Sequence, residues 1–241
     1  MLKLEHITWD LPDGEGILKG IDLTVPSGKL VVITGPNGGG KTTLAKIIAG
    51  LETPTEGRIF FEGEDITGLD ITERARKGIS YAFQQPVRFK GLTVRDLIGL
   101  AAKDALDEES LCAILSKVGL CAREYIDREV DGSLSGGEIK RIEIAMVLAR
   151  QTALSIFDEP EAGIDLWSFS SLIDVFQEMR RELKGTLLII SHQERILEIA
   201  DEIVVVAGGR IQAAGPREEV LPQLLGNHQV CPSCPAMGRK E

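Results

Sequence analysis

The 241-residue chain, 43% apolar and 27% charged, is long enough for one large α/β domain, or for such a domain with a subdomain inserted in it, and has the composition of a soluble globular protein. A formal net charge of −10 argues against a free-standing nucleic-acid binder, which would carry a basic footprint. Four cysteines do not make a disulfide framework, and no apolar run approaches the ~20 residues of a membrane-spanning helix.

The first residues alternate in character and show no basic segment followed by an apolar core, so a cytoplasmic, reduced protein is the expectation. Leu2, Leu4 and Ile7, then Leu18, Ile21, Leu23 and Val25, predict two half-buried strands around the Pro12-Asp13-Gly14 turn. Leu30–Thr34 is a continuous apolar run of the kind found in strands covered on both faces. It enters a glycine-rich loop at 35–40 and then a helix over Lys41–Ala49. From about 94 to 118 the spacing becomes helical, with Leu97, Leu100, Leu111, Ile114 and Val118 as the apolar stripe. Strand signals return at 154–158, 186–191 and 203–207, separated by helical segments at 137–150, 166–184 and 194–199. That alternation predicts a parallel-sheet core, with the block from about 86 to 135 inserted into it. Residues 226–241 carry prolines and glycines without apolar periodicity and read as a mobile tail. Within the tail, Cys231 and Cys234 stand at C-x-x-C spacing near His228, too few ligands to close a tetrahedral metal site without help. Cys112 and Cys121 read as core or boundary residues of the insertion.

Residues 35–42 read GPNGGGKT, matching G-x-x-x-x-G-K-S/T between a predicted strand and a predicted helix. Successive backbone N–H groups in such a loop line a concavity that holds phosphates, and glycines let the backbone come close. Lys41 is placed to reach the β- and γ-phosphates of ATP, and the Thr42 hydroxyl to ligate Mg²⁺. Residues 134–138 read LSGGE at the head of a helix, where Ser135 and Glu138 can form a capping box and the exposed donors can face an anion. A strand then delivers Asp158 and Glu159 at its C-terminal end, where a metal-organising and a water-activating carboxylate are expected. The next strand ends in Ser191 and His192, one of three histidines in the chain.

The ordered set GPNGGGKT, Gln84, LSGGE, Asp158-Glu159 and Ser191-His192 resembles the ABC (ATP-binding cassette) ATPase family over residues 1–225. The resemblance implies a P-loop α/β core with a mostly parallel sheet, an antiparallel N-terminal β subdomain and an inserted helical subdomain at about 86–135. It implies ATP hydrolysis with ATP and Mg²⁺, in a head-to-tail dimer of two copies. Gly35, Pro36, Asn37, Gly38, Gly39, Gly40, Lys41, Thr42 and Thr43 of one copy then face Ser135, Gly136, Gly137 and Glu138 of the other across the nucleotide. Thr42, Gln84 and Asp158 serve the metal; Glu159, His192 and Gln84 serve the chemistry; residues 161–165 stand where the family has its D-loop. Where the family stacks an aromatic on adenine, this chain has Leu11, with Trp9 two residues earlier, and Glu138 stands in place of the more usual Gln.

Within the family, the segments 82–87, 135–144, 163–165, 192–197 and 209–211 are most similar to the SufC-type iron–sulfur cluster assembly ATPases. That resemblance implies a soluble SufB/SufD-like scaffold as partner. The alternative is the ATP-binding subunit of a membrane importer, with the groove around residues 84–91 receiving a helix of a membrane-spanning subunit. A DNA-linked ABC ATPase fits less well, given the acidic charge and the absence of a long coiled-coil insertion, and no nucleic acid is expected as a partner. A nucleotide-gated module without turnover does not fit the presence of Glu159 and His192.

Overall fold

The structure, a computed structural model, describes residues 1–85, 87–102, 105–164, 166–182 and 185–226. Two antiparallel strands, β1 (Leu2–Asp10) and β2 (Gly16–Val25), are joined by a turn in which Gly14 takes a left-handed φ of 86°. They lead to the fully buried β3 (Leu30–Thr34) and, past the glycine loop, to α1 (Lys41–Ala49), which stops at left-handed Gly50. Next come β4 (Glu56–Phe61), the short β5 (Glu64–Asp65), α2 (Ile71–Arg76) and β6 (Ile79–Ala82). The middle of the chain holds β7 (Phe89–Thr93), α3 (Val94–Ala101), α4 (Glu108–Lys117), α5 (Ala122–Tyr125) and β8 (Glu129–Val130). The last part alternates: α6 (Gly136–Arg150), β9 (Leu154–Asp158), α7 (Leu166–Glu182), β10 (Thr186–Ile190), α8 (Glu194–Glu198), β11 (Glu202–Ala207), β12 (Arg210–Pro216) and α9 (Arg217–Gly226).

The central sheet runs β12-β11-β3-β10-β9-β6, parallel throughout except for the antiparallel edge strand β12. A second sheet, β2-β1-β4-β5, is antiparallel. Alternate residues of the central strands feed two cores. Val31, Ile33, Leu188 and Ile190 join α1 and the antiparallel sheet. Leu30, Val32, Leu187 and Ile189 join α6, α7 and the middle helices. Burial on both faces is why these strands read as unbroken apolar runs rather than as alternation.

The sequence expectation needs correction in the middle block. A single stripe over 94–118 does not exist, because α3 and α4 are separate helices and the periodicity does not carry across the link between them. Leu97, Leu111 and Val118 are buried, but Leu100 is 73% exposed. The block also includes the β7–β8 pair, whose second strand is too short to leave a period-2 signal. No helix among the described residues is long and apolar enough to cross a membrane. Cys112 is half-buried and Cys121 exposed; His228, Cys231 and Cys234 lie outside the described residues.

One buried cation ties α1 to the chain beyond it. Arg74 donates to the Ile47 and Ile48 carbonyls (2.6 and 3.0 Å) at the C-terminal end of α1, and to those of Thr67 and Leu69 (3.0 and 2.9 Å). It satisfies helix-end acceptors and places positive charge at the negative end of the helix dipole. Arg74→Met strands these carbonyls and should lower unfolding free energy by about 3 kcal/mol. In thermal denaturation that corresponds to a fall of roughly 6–12 °C in Tm.

Candidate functional site

The glycine loop is wedged between two strands. Gly35 takes a φ of 135°, and a Cβ there would lie 2.1 Å from the Val206 carbonyl oxygen at the end of β11. A Cβ on Gly40, at φ 96°, would lie 2.6 Å from the Leu18 side chain of β2. The loop is also clasped by backbone: the Gly209 N–H donates to the Gly39 carbonyl (3.2 Å), and the Lys19 N–H donates to the Gly209 carbonyl (2.8 Å). Glycine is therefore required at Gly35 and Gly40 by close approach as well as by backbone conformation. Lys41, 6% exposed, folds back so that Nζ donates to the Gly35 and Pro36 carbonyls at 2.8 and 2.9 Å. Burial pulls its ammonium below the usual lysine range, against the opposing pull of Glu159 and Asp158.

The acidic pair arrives on β9. Asp158 is 1% exposed; its Oδ1 accepts from Thr42 Oγ1 (3.1 Å) and its Oδ2 from the Tyr81 hydroxyl (2.7 Å). Burial, then the Asp158 charge and hydrogen bond, push the Tyr81 phenol well up, so that it remains a donor. Glu159 sits at φ 44°, a left-handed conformation costly for a residue with a side chain, and its N–H is held by the Ile190 carbonyl (3.0 Å). Its Oε2 accepts from Gln84 Nε2 at 2.6 Å. At the neighbouring strand end, Ser191 Oγ donates to Glu161 Oε1 (2.5 Å), while His192 is exposed. Burial pushes the Glu161 carboxyl up, opposed by the Ser191 bond.

Among the described residues, Trp9, Leu11, Ile17, residues 37–43, Gln84 and Glu159 line one open cleft of about 540 Å³. Asp158 stands just behind Thr42, and Gly35 and Pro36 anchor Lys41. His192 is not part of the cleft lining, nor are Ser135, Gly136, Gly137 and Glu138. Those four residues open α6 in a capping box: the Ser135 N–H donates to Glu138 Oε2 (2.6 Å), and Ser135 Oγ accepts from the Glu138 N–H (3.2 Å). Tyr125 also donates to Glu138 Oε1 (2.5 Å), and that bond leads the causes holding the Glu138 carboxyl below the usual range. A second, apolar groove beside Gln84 is lined by Phe83, Val87, Phe89, Ala101, Met146 and Glu143.

No local pattern in the sequence marks Tyr81 or Ile17 as part of the site. Tyr81 belongs to no motif, and it reaches Asp158 only because β6 pairs in register with β9. Ile17 reaches the cleft because β2 lies against the loop.

Residues 18–162 match the family model described as ABC transporter. An uncharacterized ABC transporter ATP-binding protein of Methanocaldococcus jannaschii, MJ0035, is 43% identical over 213 residues, covering 85% of this chain and 84% of the relative. The spermidine/putrescine import ATP-binding protein PotA of Mesoplasma florum is 37% identical over 91% of this chain, which spans only 63% of that protein's length. A solved dimeric structure of the ATP-binding cassette MJ0796 in a post-hydrolysis state, bound to ADP and Pi, superposes with a TM-score of 0.79 at 25% identity, covering 90% of this chain and 99% of that one.

The close approach at Gly35 can be tested directly. Gly35→Ala should displace the loop from β11 and weaken binding of a fluorescent ATP analogue by about tenfold or more. Affinity within twofold of the parent chain would show that the contact with Val206 does not set the loop.

Proposed function

Because the chain belongs to the ABC transporter family and is an ATPase, we propose that it is the ATP-binding subunit of a membrane transporter, working as a head-to-tail dimer of two copies. The observation that carries this reading is the division of the site. Lys41, Thr42, Gln84 and Glu159 line one cleft with Asp158 behind Thr42, whereas Ser135–Glu138 present a helix N-terminus outside it. A second copy turned head to tail would bring its Ser135, Gly136 and Gly137 donors to the phosphates held by residues 38–42 of the first. The dimeric MJ0796 cassette supports such an assembly.

The donor set suits Mg²⁺. Thr42 Oγ1 and Asp158 Oδ1 are hard oxygen atoms side by side, and Gln84 lines the same cleft as Thr42. Among the described residues no three His, Cys, Asp or Glu side chains cluster as a metal cage, which leaves phosphate oxygens and water to complete the coordination. The ion would neutralise charge on the β- and γ-phosphate oxygens. Lys41 exchanges its loop carbonyls for those phosphates. Glu159, held by the Gln84 amide, orients the attacking water and takes its proton as the γ-phosphoryl group leaves ADP; His192, exposed outside the cleft lining, would have to turn toward that group to donate to it. Trp9, Leu11 and Ile17 offer the adenine an apolar face.

The apolar groove beside Gln84 suits a cytoplasmic helix of a membrane-spanning subunit, placing the chain at the cytoplasmic face through its partner. PotA, an import ATP-binding protein, supports this partner class. A second reading is a soluble SufB/SufD-like scaffold, favoured by the SufC-like segments at 82–87 and 135–144 and by Glu138 in the signature. The two differ in what is isolated with the chain: an integral membrane protein or a soluble one.

Glu159→Gln should cut phosphate release by about a hundredfold or more while leaving ATP affinity within about twofold. Light scattering with Mg²⁺ and ATP should then show a dimer. A variant that remains monomeric under ATP would contradict the head-to-tail reading.

A further inference from the structure

The loop that carries Gln84 is held from beneath by a buried ion pair on α6. Lys140 is 2% exposed; its Nζ donates to the Phe83 carbonyl and, at 3.1 Å, to the Gln84 carbonyl. One turn further on, Glu143 Oε1 accepts from the Val87 N–H at 3.1 Å, on the far side of the same loop. The two side chains face each other, Nζ to Oε2 at 3.3 Å, an ion contact that lacks hydrogen-bond alignment and leaves Oε2 buried without another partner. Burial pushes the Glu143 carboxyl up and Lys140 pulls it back down. A buried ammonium is costly unless its donors are used, and here they are spent on backbone carbonyls of a loop that is otherwise exposed.

We infer that Lys140 and Glu143 are positioning residues that fix the Gln84 loop, and through it the Gln84–Glu159 contact, to the helix that begins at Ser135. Neither side chain touches the cleft. Lys140 stands five positions after Ser135, so one short rigid segment links the residues facing one nucleotide of the dimer to the glutamine facing the other. Glu143 also forms part of the apolar groove wall, so an occupant of the groove meets the same clamp. This inference rests on the proposed role of Gln84, and its test separates the two.

Hydrogen exchange in the nucleotide-free full chain reads the clamp without reference to catalysis. Lys140→Met should speed exchange of the amides at 83–89 by about tenfold, with the rest of α6 unchanged. Glu143→Gln, which keeps the Val87 acceptor and a native shape, should do so by roughly two- to threefold and covers the case in which Lys140→Met does not fold. Unchanged exchange at 83–89 in folded variants overturns the inference. In turnover, Lys140→Met should lower kcat by about tenfold with KM within twofold, and should add nothing in a Gln84→Ala background. A normal kcat, or effects that simply multiply, overturns the positioning role. If Gln84→Ala itself leaves kcat unchanged, the proposed role of Gln84 fails instead, and the exchange result alone decides the clamp.

Discussion

The chemistry of this molecule depends on the parallel register of its central strands. Ile33, Ile190 and Asp158 lie abreast on β3, β10 and β9, and Ala82 of β6 pairs with Phe157. The residues just beyond these positions are the glycine loop, Ser191-His192, Glu159 and Phe83-Gln84. Four segments far apart in sequence are thereby delivered to one edge of one sheet. A slip of one residue would turn side chains to the opposite face, and a slip of two would carry Asp158 about 7 Å from Thr42. The doubly buried strands prevent both, since either would pull apolar side chains out of one of the two cores.

Within that frame the site is held by short polar chains. Asp158 has one oxygen engaged by Thr42 at the start of α1 and the other by Tyr81 on β6. Its orientation is therefore set by two elements on either side of it, in surroundings where an unpartnered carboxylate would be costly. Glu159 is positioned differently: its backbone is strained, its N–H is fixed by β10, and its carboxylate accepts from a glutamine on an exposed loop. Asp158 is thus held from two sides, while Glu159 meets a loop that is itself hydrogen-bonded to α6. A partner that moved the loop could gate hydrolysis without disturbing the phosphate cradle. That division suits an engine whose work is done on another protein.

The loop of residues 35–40 shows how packing and chemistry constrain the same positions. Its glycines would be needed for phosphates to approach the backbone, yet Gly35 and Gly40 are already required by the crowding of β11 and β2 against the loop. The antiparallel sheet does more than cover a core: β2 carries Ile17 to the cleft, and the Lys19–Gly209 and Gly209–Gly39 hydrogen bonds tie that sheet to the glycine loop through the turn between β11 and β12.

Much of this was legible in the residues. Leu30–Thr34, Leu154–Asp158 and Thr186–Ile190 announced themselves because strands buried on both faces must be apolar throughout, and the glycine loop did so because few residue types can form it. The capping box at Ser135–Glu138 was equally local, needing only residues three apart. The middle block does not form the one stripe its spacing suggests, since α3 and α4 each carry a periodicity that resets between them and leaves Leu100 in solvent. Tyr81 on Asp158, Lys140 beneath Gln84 and Arg74 on the end of α1 were invisible, because each is an isolated polar residue whose partner lies between 26 and 77 positions away. The residues alone mark the candidates for holding phosphate and activating water, for those demands are written in local backbone freedom and side-chain chemistry. Which of them meet in one cleft, and which stand apart from it, follows from the folded arrangement, because strand register and helix packing are set by the burial of apolar residues outside the cleft.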